Sequence, residues 1–285
     1  KYLVGGRDAA RLLDRMVTRD VARCTVGQVL YTPWCDVHGK VIDDGTVSRL
    51  DERTFRLTSA EPNQRWLAMN AVGLDVTIED VSEHTAALAL QGPLSRTILQ
   101  QLVPADLSTL KYFRLVHTRL RDTPVTISRT GYTGDLGYEI WVDAAQALPV
   151  WDALVEAGTP YGLMPAGVWA LDLVRIEAGL VMLDVDYFSA HRARVEDQKS
   201  SPFELGLGWT VGAGKGRVLN TWGDKRLEKF PDAPTLKELG LDIVQNSPFG
   251  IGAPRGTPAG VVNKLHGAFK EAMEDPRYLQ APARY

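Results

Sequence analysis

Residues 130–139, which read TGYTGDLGYE, constrain the fold of this chain more than any other segment. Their three glycines allow tight turns and a close approach of the backbone, and strand-like alternation of apolar residues lies on both sides of them. The segment therefore predicts a glycine-rich hairpin with Glu139 at the start of its second strand. By spacing alone, Glu139 is as readily a solvated hairpin residue as a buried acceptor for a ligand.

A second acidic segment, residues 41–44, reads VIDD and is followed by Gly45. Asp-Asp-Gly is ordinary turn chemistry, so from spacing alone the simpler interpretation is that Asp43 and Asp44 are turn residues. Adjacent side chains diverge in a strand or a turn, however. One carboxylate can therefore cap the turn while the other points into a cavity, where burial would tune its protonation for chemistry.

Short strands and helices follow one another without a regular βαβ rhythm, which predicts an α+β fold with mixed sheets and flanking helices. Strand patterns occupy residues 29–34, 46–50, 54–58, 75–81, 86–90, 115–120, 125–129 and 138–142. Helix patterns begin after Asp8, a candidate cap, and also cover residues 63–72, 94–102, 147–157, 166–178 and 258–274.

A chain of 285 residues with 45% hydrophobic residues is large enough for one or two globular domains. Its net charge of −3 gives no field that favours nucleic acid or an anionic membrane, and no apolar run approaches the roughly 18 residues of a membrane span. Cys24 and Cys35 are too few for a disulfide framework, so the expected compartment is the reducing cytoplasm. The five histidines lack metal-ligand spacing, and no metal site is expected.

The two acidic segments resemble the signature stretches of the folate-binding aminomethyltransferases, the T-protein family of the glycine cleavage system. The resemblance covers residues 1–211 and extends to LQGP at residues 90–93, RIEAG at residues 175–179 and SPFELGLGW at residues 201–209. It implies the folate-binding core of that family, with tetrahydrofolate as the cofactor.

The resemblance also assigns roles to single residues. Asp44 matches the catalytic aspartate of the family, and it is expected to face the cavity that Asp43 does not face. Tyr132, Glu139 and Ser59 match positions of the folate site, although Ser59 stands where many members have asparagine. Asp44 and Glu139 are then expected to line one cavity, although they lie far apart in the sequence.

Departures from the family pattern bear on the reaction. Leu171 replaces an arginine that contacts bound ligand in the family, and the N-terminal stretch and C-terminal barrel of the family are expected to be missing. These departures favour a relative that takes a methyl or aminomethyl group from a small amine or sulfonium donor, with weak or absent catalysis in this chain. A carrier protein is an expected partner only for a true T-protein. The alternative is a non-catalytic folate-binding protein or a remnant of a carboxylate solute-binding protein.

The last part of the chain resembles a different family. FPDAPT at residues 230–235 and APRGTP at residues 253–258 resemble the C-terminal end of solute-binding proteins of the tripartite tricarboxylate transporters, over residues 217–281. The expected organisation is therefore a folate-binding domain at residues 1–211, a glycine-rich junction at residues 212–216 and a short α/β fragment at residues 217–285.

Overall fold

A computed structural model describes residues 1–212, 215, 225–226, 235–240, 263–264 and 267 of the chain. Contacts divide the chain into two compact units, Lys1–Lys215 and Gly216–Tyr285. The expected junction at residues 212–216 lies partly outside the described residues, and so does most of the helix expected at residues 258–274.

Nine strands and five α-helices occur among the described residues of the first unit. The strands are β1 (Tyr2–Gly5), β2 (Val29–Cys35), β3 (Val41–Arg49), β4 (Thr54–Ser59), β5 (Thr77–Asp80), β6 (Thr85–Gln91), β7 (Leu115–Leu120), β8 (Thr123–Ser128) and β9 (Gly137–Asp143). The helices are α1 (Ala9–Met16), α2 (Gln64–Asn70), α3 (Ser95–Leu99), α4 (Ala147–Gly158) and α5 (Val168–Glu177).

The strands form two sheets. The first sheet has five strands in the order β2-β3-β4-β1-β5, and the second has four in the order β6-β9-β8-β7. Every strand pair in both sheets is antiparallel. Helices and antiparallel sheets thus occur together without parallel crossover units, and the predicted α+β class is confirmed.

Each sheet buries one face in its own hydrophobic core. Leu12 and Leu13 of α1 and Leu67 of α2 pack against buried residues of the first sheet, among them Phe55 and Leu57. The expected cap Asp8 makes no side-chain hydrogen bond to the start of α1, because its carboxylate accepts instead from the backbone N–H of Asp75. The apolar stripe of the helix, rather than its cap, therefore holds α1 in place.

The second core lies between the second sheet and helices α3 and α4. Tyr138, Ile140 and Val142 alternate along β9 and pack with Ile98 of α3 and Val150 of α4. Because successive side chains of a strand point to opposite faces, the residues between them on β9 lie on the face without helices. On each sheet, the face that packs against the helices is therefore apolar, and the opposite face is available for a functional site.

The acidic segment of residues 41–44 is not a turn. It lies inside β3, a continuous strand that pairs with β2 on one side and with β4 on the other. Gly45 serves a close approach of strands instead of a turn, because a Cβ atom at this position would lie 1.9 Å from the carbonyl oxygen of Thr58. The expectation of a turn at Asp43–Gly45 is therefore wrong, since strand pairing overrides the turn preference of the local sequence.

Candidate functional site

The face of the first sheet that has no helices is polar. The register of β3 and β4 pairs Thr46 with Thr58 and Ser48 with Arg56. Cross-strand partners share a face and residues two apart along a strand share it too, so Asp44 lies on this face with all four. Asp43 lies on the opposite face, towards the helices.

The second sheet turns a matching polar face towards the first. On β9 this face carries Glu139 and Trp141, which pair with Ser128 and Thr126 of β8. The guanidinium carbon of Arg56 lies 3.8 Å from the centre of the Trp141 ring, so the two faces meet across the sheets. We call the region between them, defined by Asp44, Thr46, Thr58 and Arg56 on one side and Glu139 and Trp141 on the other, the intersheet space.

Asp43 is a fully buried structural residue. Its carboxylate accepts from the backbone N–H of Glu61 at 3.1 Å, from the side-chain amide of Asn63 at 2.9 Å and from the N–H of Asp44 at 2.8 Å. Asn63 in turn accepts from the indole N–H of Trp34 at 3.1 Å. Burial raises the pKa of Asp43 to about 6, and the hydrogen bonds that its carboxylate accepts from N–H groups oppose this rise. This network fixes the backbone at Asp44.

Asp44 is half-buried and lies among tyrosine hydroxyls. Tyr31 of β2 donates to one carboxylate oxygen at 2.9 Å, and Tyr187, from the segment after α5, donates to the other. Burial raises the pKa of Asp44, while the two hydroxyls lower it by stabilising the charged form. The arrangement gives a partly desolvated carboxylate that can take up a proton or stabilise a positive charge.

Further aromatic groups surround this carboxylate. The hydroxyl of Tyr132 donates to the carbonyl of Val181, and burial raises its pKa to about 12 with a further contribution from the charge of Asp44. Tyr31 also stacks on Trp209, with ring centres 6.1 Å apart. The structure thus brings Tyr132 into the electrostatic environment of Asp44. The aromatic residues Tyr31, Tyr187 and Trp209, which are distant from Tyr132 in the sequence, lie there as well.

Glu139 is the third residue of β9 and ends a chain of hydroxyl contacts. Trp141 donates to Ser128 at 3.3 Å, Ser128 and Thr130 share a hydrogen bond of 2.7 Å, and Thr130 donates to the Glu139 carboxylate. Burial lowers the pKa of Arg56 to about 10, and the charge of Glu139 opposes this shift. The charge of Glu139 thus acts on Arg56 across the sheets, although none of the ion pairs among the described residues joins the two side chains.

Ser59 lies away from these groups. It ends β4 and its hydroxyl donates to the carbonyl of Glu61 at 2.7 Å. Glu61 belongs to the loop that also binds the Asp43 carboxylate. Ser59 therefore contacts the loop that holds the Asp43 carboxylate in place. The expected contact of Ser59 with a folate stays a prediction.

Two of the three glycines of the 130–139 segment, Gly131 and Gly137, lie against one side chain, that of Gln91. A Cβ atom at Gly131 or Gly137 would lie 2.1 or 1.9 Å from the side-chain oxygen of Gln91, which also accepts from Thr133 at 3.1 Å. The LQGP and TGYTGDLGYE segments are thus parts of one packed unit. Beside it lies a cavity of about 360 Å³ lined by residues 129–131, 134–137, Tyr112, Ala178 and Leu180.

This cavity is lined by neither Asp44 nor Glu139. The expectation that the two carboxylates line one cavity therefore stays a prediction, supported by their placement on facing sheets. Arg175 forms ion pairs with Asp172 at 2.8 Å and with Asp186. Its side chain is buried, so it joins α5 to the segment that carries Tyr187.

Sequence reasoning missed three contributors to the site. Arg56 had a local signal, a charge at an alternating position between the apolar residues Phe55 and Leu57 of a strand. Tyr31 and Tyr187 had none, because only the tertiary fold brings them to Asp44. Among the described residues there is no cluster of histidine, cysteine, aspartate or glutamate suited to a metal ion. No described helix is long and apolar enough to cross a bilayer.

Comparison with known proteins identifies the family. The family model of the GCVT N-terminal domain matches residues 1–215, and that of the tripartite tricarboxylate transporter family receptor matches residues 207–283. An aminomethyltransferase of Halothermothrix orenii is 36% identical over 243 residues, which are 84% of this chain and 64% of that protein. Trimethylamine-oxide aldolase of Ruegeria pomeroyi is 36% identical over 88% of this chain and 32% of its own length.

A solved structure agrees at the level of the fold. The glycine cleavage system aminomethyltransferase T from Bartonella henselae superposes with a TM-score of 0.64 at 24% identity, over 75% of this chain and 55% of that one. The chain thus spans about two thirds or less of the length of these relatives. The resemblance predicted from residues 1–211 is confirmed, and the chain belongs to the aminomethyltransferase family that the GCVT N-terminal domain defines.

Proposed function

We propose that the first unit of this chain is a tetrahydrofolate-dependent one-carbon transferase domain that acts on a small amine or sulfonium donor. The observation that carries the proposal is the intersheet space, where the carboxylates of Asp44 and Glu139 lie on polar sheet faces that meet at Arg56 and Trp141. A protein without a polar ligand would be expected to fill such a space with apolar side chains.

The residues present fit a reduced folate. The pterin ring offers N–H groups along one edge, and Glu139 is a carboxylate acceptor that is held by Thr130 on the polar face of β9. The buried guanidinium of Arg56 has two nitrogens without partners, which marks the space as a polar site rather than a core. When bound, a reduced folate supplies an amine nitrogen that accepts the one-carbon unit. Glu139 and Tyr132 would orient the ring, and orientation is a large part of catalysis by proximity.

Asp44 would accept a proton from the folate or stabilise the positive charge on the donor. Its raised pKa makes it a better proton acceptor near neutral pH than an exposed aspartate, and the hydroxyls of Tyr31 and Tyr187 fix its direction. A carboxylate among aromatic rings also stabilises a cationic amine or sulfonium group. The names of the relatives, aminomethyltransferase and trimethylamine-oxide aldolase, support a small nitrogen-containing donor.

A small-molecule donor is the expected partner, and a carrier protein would join it only if the reaction is that of the glycine cleavage system. No nucleic acid or membrane partner is proposed. Cys24 and Cys35 are both free thiols, which fits the reducing cytoplasm as the compartment.

Calorimetric titration of the full chain with tetrahydrofolate tests the proposal. We expect Glu139→Ala to weaken binding by about 1–3 kcal/mol, because the ring N–H groups lose their acceptor. Glu79→Ala is the matched control, since Glu79 is an exposed glutamate on the outermost strand of the first sheet and should leave binding unchanged. Absence of tetrahydrofolate binding by the unsubstituted chain would refute the proposal.

A second candidate rests on the match of residues 207–283 to a transporter receptor family. In that case the chain is a non-catalytic folate-binding protein or a carboxylate-binding remnant. Titration with a dicarboxylate and a tricarboxylate separates the two candidates. We expect no heat of binding from either acid, and binding of an acid without binding of tetrahydrofolate would favour the second candidate.

A further inference from the structure

Arg56 is an arginine in an unusual environment. It lies in the middle of β4, which is the central strand of the first sheet, and 5% of its surface is exposed. Its Nε and Nη2 atoms are buried and have no hydrogen-bond partner. Buried polar groups in native proteins are almost always satisfied, and a buried charge is normally paired. Apart from the face of the Trp141 ring, Arg56 therefore lacks the partners that would explain its burial as a structural residue.

The direction of the side chain limits what can supply those partners. The register places Arg56 on the polar face of the first sheet with Thr46 and Thr58, and Trp141 of the second sheet covers it. The nitrogens of Arg56 that lack partners thus belong to the intersheet space, and not to either helix-covered core.

Glu139 adds the complementary charge. It influences the protonation of Arg56 through its charge, but the described ion pairs of the molecule do not join the two. A donor and an acceptor that face one region without touching can be bridged by a molecule that carries an acceptor next to N–H groups. A ring carbonyl beside a ring N–H and an amino group, as in a pterin, has this pattern.

We propose that Arg56 is a further ligand-binding residue of the intersheet space, which donates its N–H groups to the ring carbonyl of the molecule whose N–H edge binds Glu139. The inference rests on the proposed function, because it takes the reduced pterin as that molecule. This role of Arg56 would make the site selective for the ring substituent. A ring carbonyl oxygen can accept from Arg56, whereas an amino group at the same position is rejected because two hydrogen-bond donors would face each other.

Thermal unfolding of the ligand-free full chain provides the first test. In Arg56→Met the side chain keeps its contact with Trp141 and loses an unsatisfied buried charge, so we expect the Tm to stay the same or to rise by about 2–4 °C. Arg49→Met is the matched control. Arg49 on the neighbouring strand donates to the carbonyls of Cys24 at 2.7 Å and Glu52 at 2.9 Å, and its loss should lower the Tm. A fall of the Tm in Arg56→Met as large as in the control would overturn the proposal, because it would show a structural role.

Binding supplies the second test, with tetrahydrofolate and its analogue in which an amino group replaces the ring carbonyl oxygen as probes. We expect Arg56→Met to weaken tetrahydrofolate binding by about tenfold or more and to change the affinity for the analogue by less than about twofold. Equal losses for both probes would overturn the proposal.

The proposed function can fail separately. If the unsubstituted chain binds tetrahydrofolate and Arg56→Met binds it equally well, the role of Arg56 is wrong and the folate function stands. If the unsubstituted chain binds neither probe, the folate function and the role of Arg56 are both wrong.

Discussion

At the scale of single residues, two adjacent aspartates have different tasks. Asp43 is fully buried and accepts three hydrogen bonds that tie β3 to the loop around Glu61 and Asn63. Asp44 points to the other face of the sheet and meets two tyrosine hydroxyls. Alternation along the strand makes this division unavoidable, because neighbouring residues of a strand cannot share a face.

The first prediction concerns catalysis by Asp44. If the chain is active, Asp44→Asn should lower turnover by roughly 10²–10⁴, the scale of general acid–base loss, with little change in tetrahydrofolate affinity. Steady-state kinetics and calorimetry on the same preparation measure the two quantities. Asp43→Asn is the comparison variant. An equal loss of turnover in Asp43→Asn without any loss of stability would contradict the assignment.

The second prediction concerns pH. Because the folded-state pKa of Asp43 is raised from 3.8 to about 6, the folded protein keeps a proton between these values that the unfolded chain has lost. The contribution of Asp43 to stability is therefore greatest below pH 4, falls as pH rises to 6 and is constant above that. The total fall is at most about 3 kcal/mol.

Urea unfolding of the unsubstituted chain and of Asp43→Asn at several pH values measures this effect. The difference in unfolding free energy between the two proteins should shift in favour of Asp43→Asn as pH rises from 4 to 7. A difference that is independent of pH would show that burial does not disturb the ionisation of Asp43.

At the scale of elements, glycines determine how closely neighbouring segments of the chain can pack. Gly45 lets β3 lie close to β4, and Gly131 and Gly137 make room for Gln91 at the end of β6. These contacts fix the positions of the carboxylates, since Asp44 precedes Gly45 and Glu139 follows Gly137 by two residues. The turn-like appearance of both segments in the sequence thus reflects close packing as much as reversal of the chain.

The third prediction tests the close approach at β3. Gly45→Ala should reduce the unfolding free energy by about 3 kcal/mol or more, because the added methyl group cannot avoid the carbonyl of Thr58 without moving a strand. Gly167→Ala is the control. A Cβ atom at Gly167 meets nothing within 4 Å, and its φ of −80° suits alanine. Urea denaturation should show a change within about 0.5 kcal/mol for the control.

At the scale of the whole molecule, the chain combines two units. The family model of the GCVT N-terminal domain ends at residue 215, which is also the last residue of the first compact unit, Lys1–Lys215. The chain covers 64% of the aminomethyltransferase of Halothermothrix orenii. The intersheet space lies wholly within the first unit, so ligand binding is expected to be a property of that unit.

The fourth prediction concerns this division. Limited trypsin digestion of the full chain should cut first at Arg217, because Lys215 is held by an ion pair with Asp14 at 2.8 Å, and leave an N-terminal fragment that still binds tetrahydrofolate. Mass spectrometry identifies the cut, and calorimetry measures binding by the purified fragment. A first cut within residues 1–212, or a fragment that no longer folds, would contradict this prediction.

The sequence by itself determined the α+β class, the positions of most strands and the family. Periodicity carries this information, since apolar alternation in residues 115–120 predicts β7 with its observed bounds. It also predicted a helix where α4 lies. It misplaced the segment around Asp43 as a turn, because local turn preference is weaker than the hydrogen bonds that β3 makes with strands on both sides.

Only the tertiary structure decided which residues surround the two carboxylates. Tyr187 is 143 residues from Asp44 in the chain and reaches it through the segment that Arg175 anchors. Arg56 and Glu139 belong to different sheets, and no local pattern relates their positions. Periodicity fixes which face of a strand a side chain occupies, whereas the packing of one sheet against another fixes what that face meets. The candidate site is formed by that second step, which is why Tyr31 and Tyr187 could not be predicted from the sequence as neighbours of Asp44.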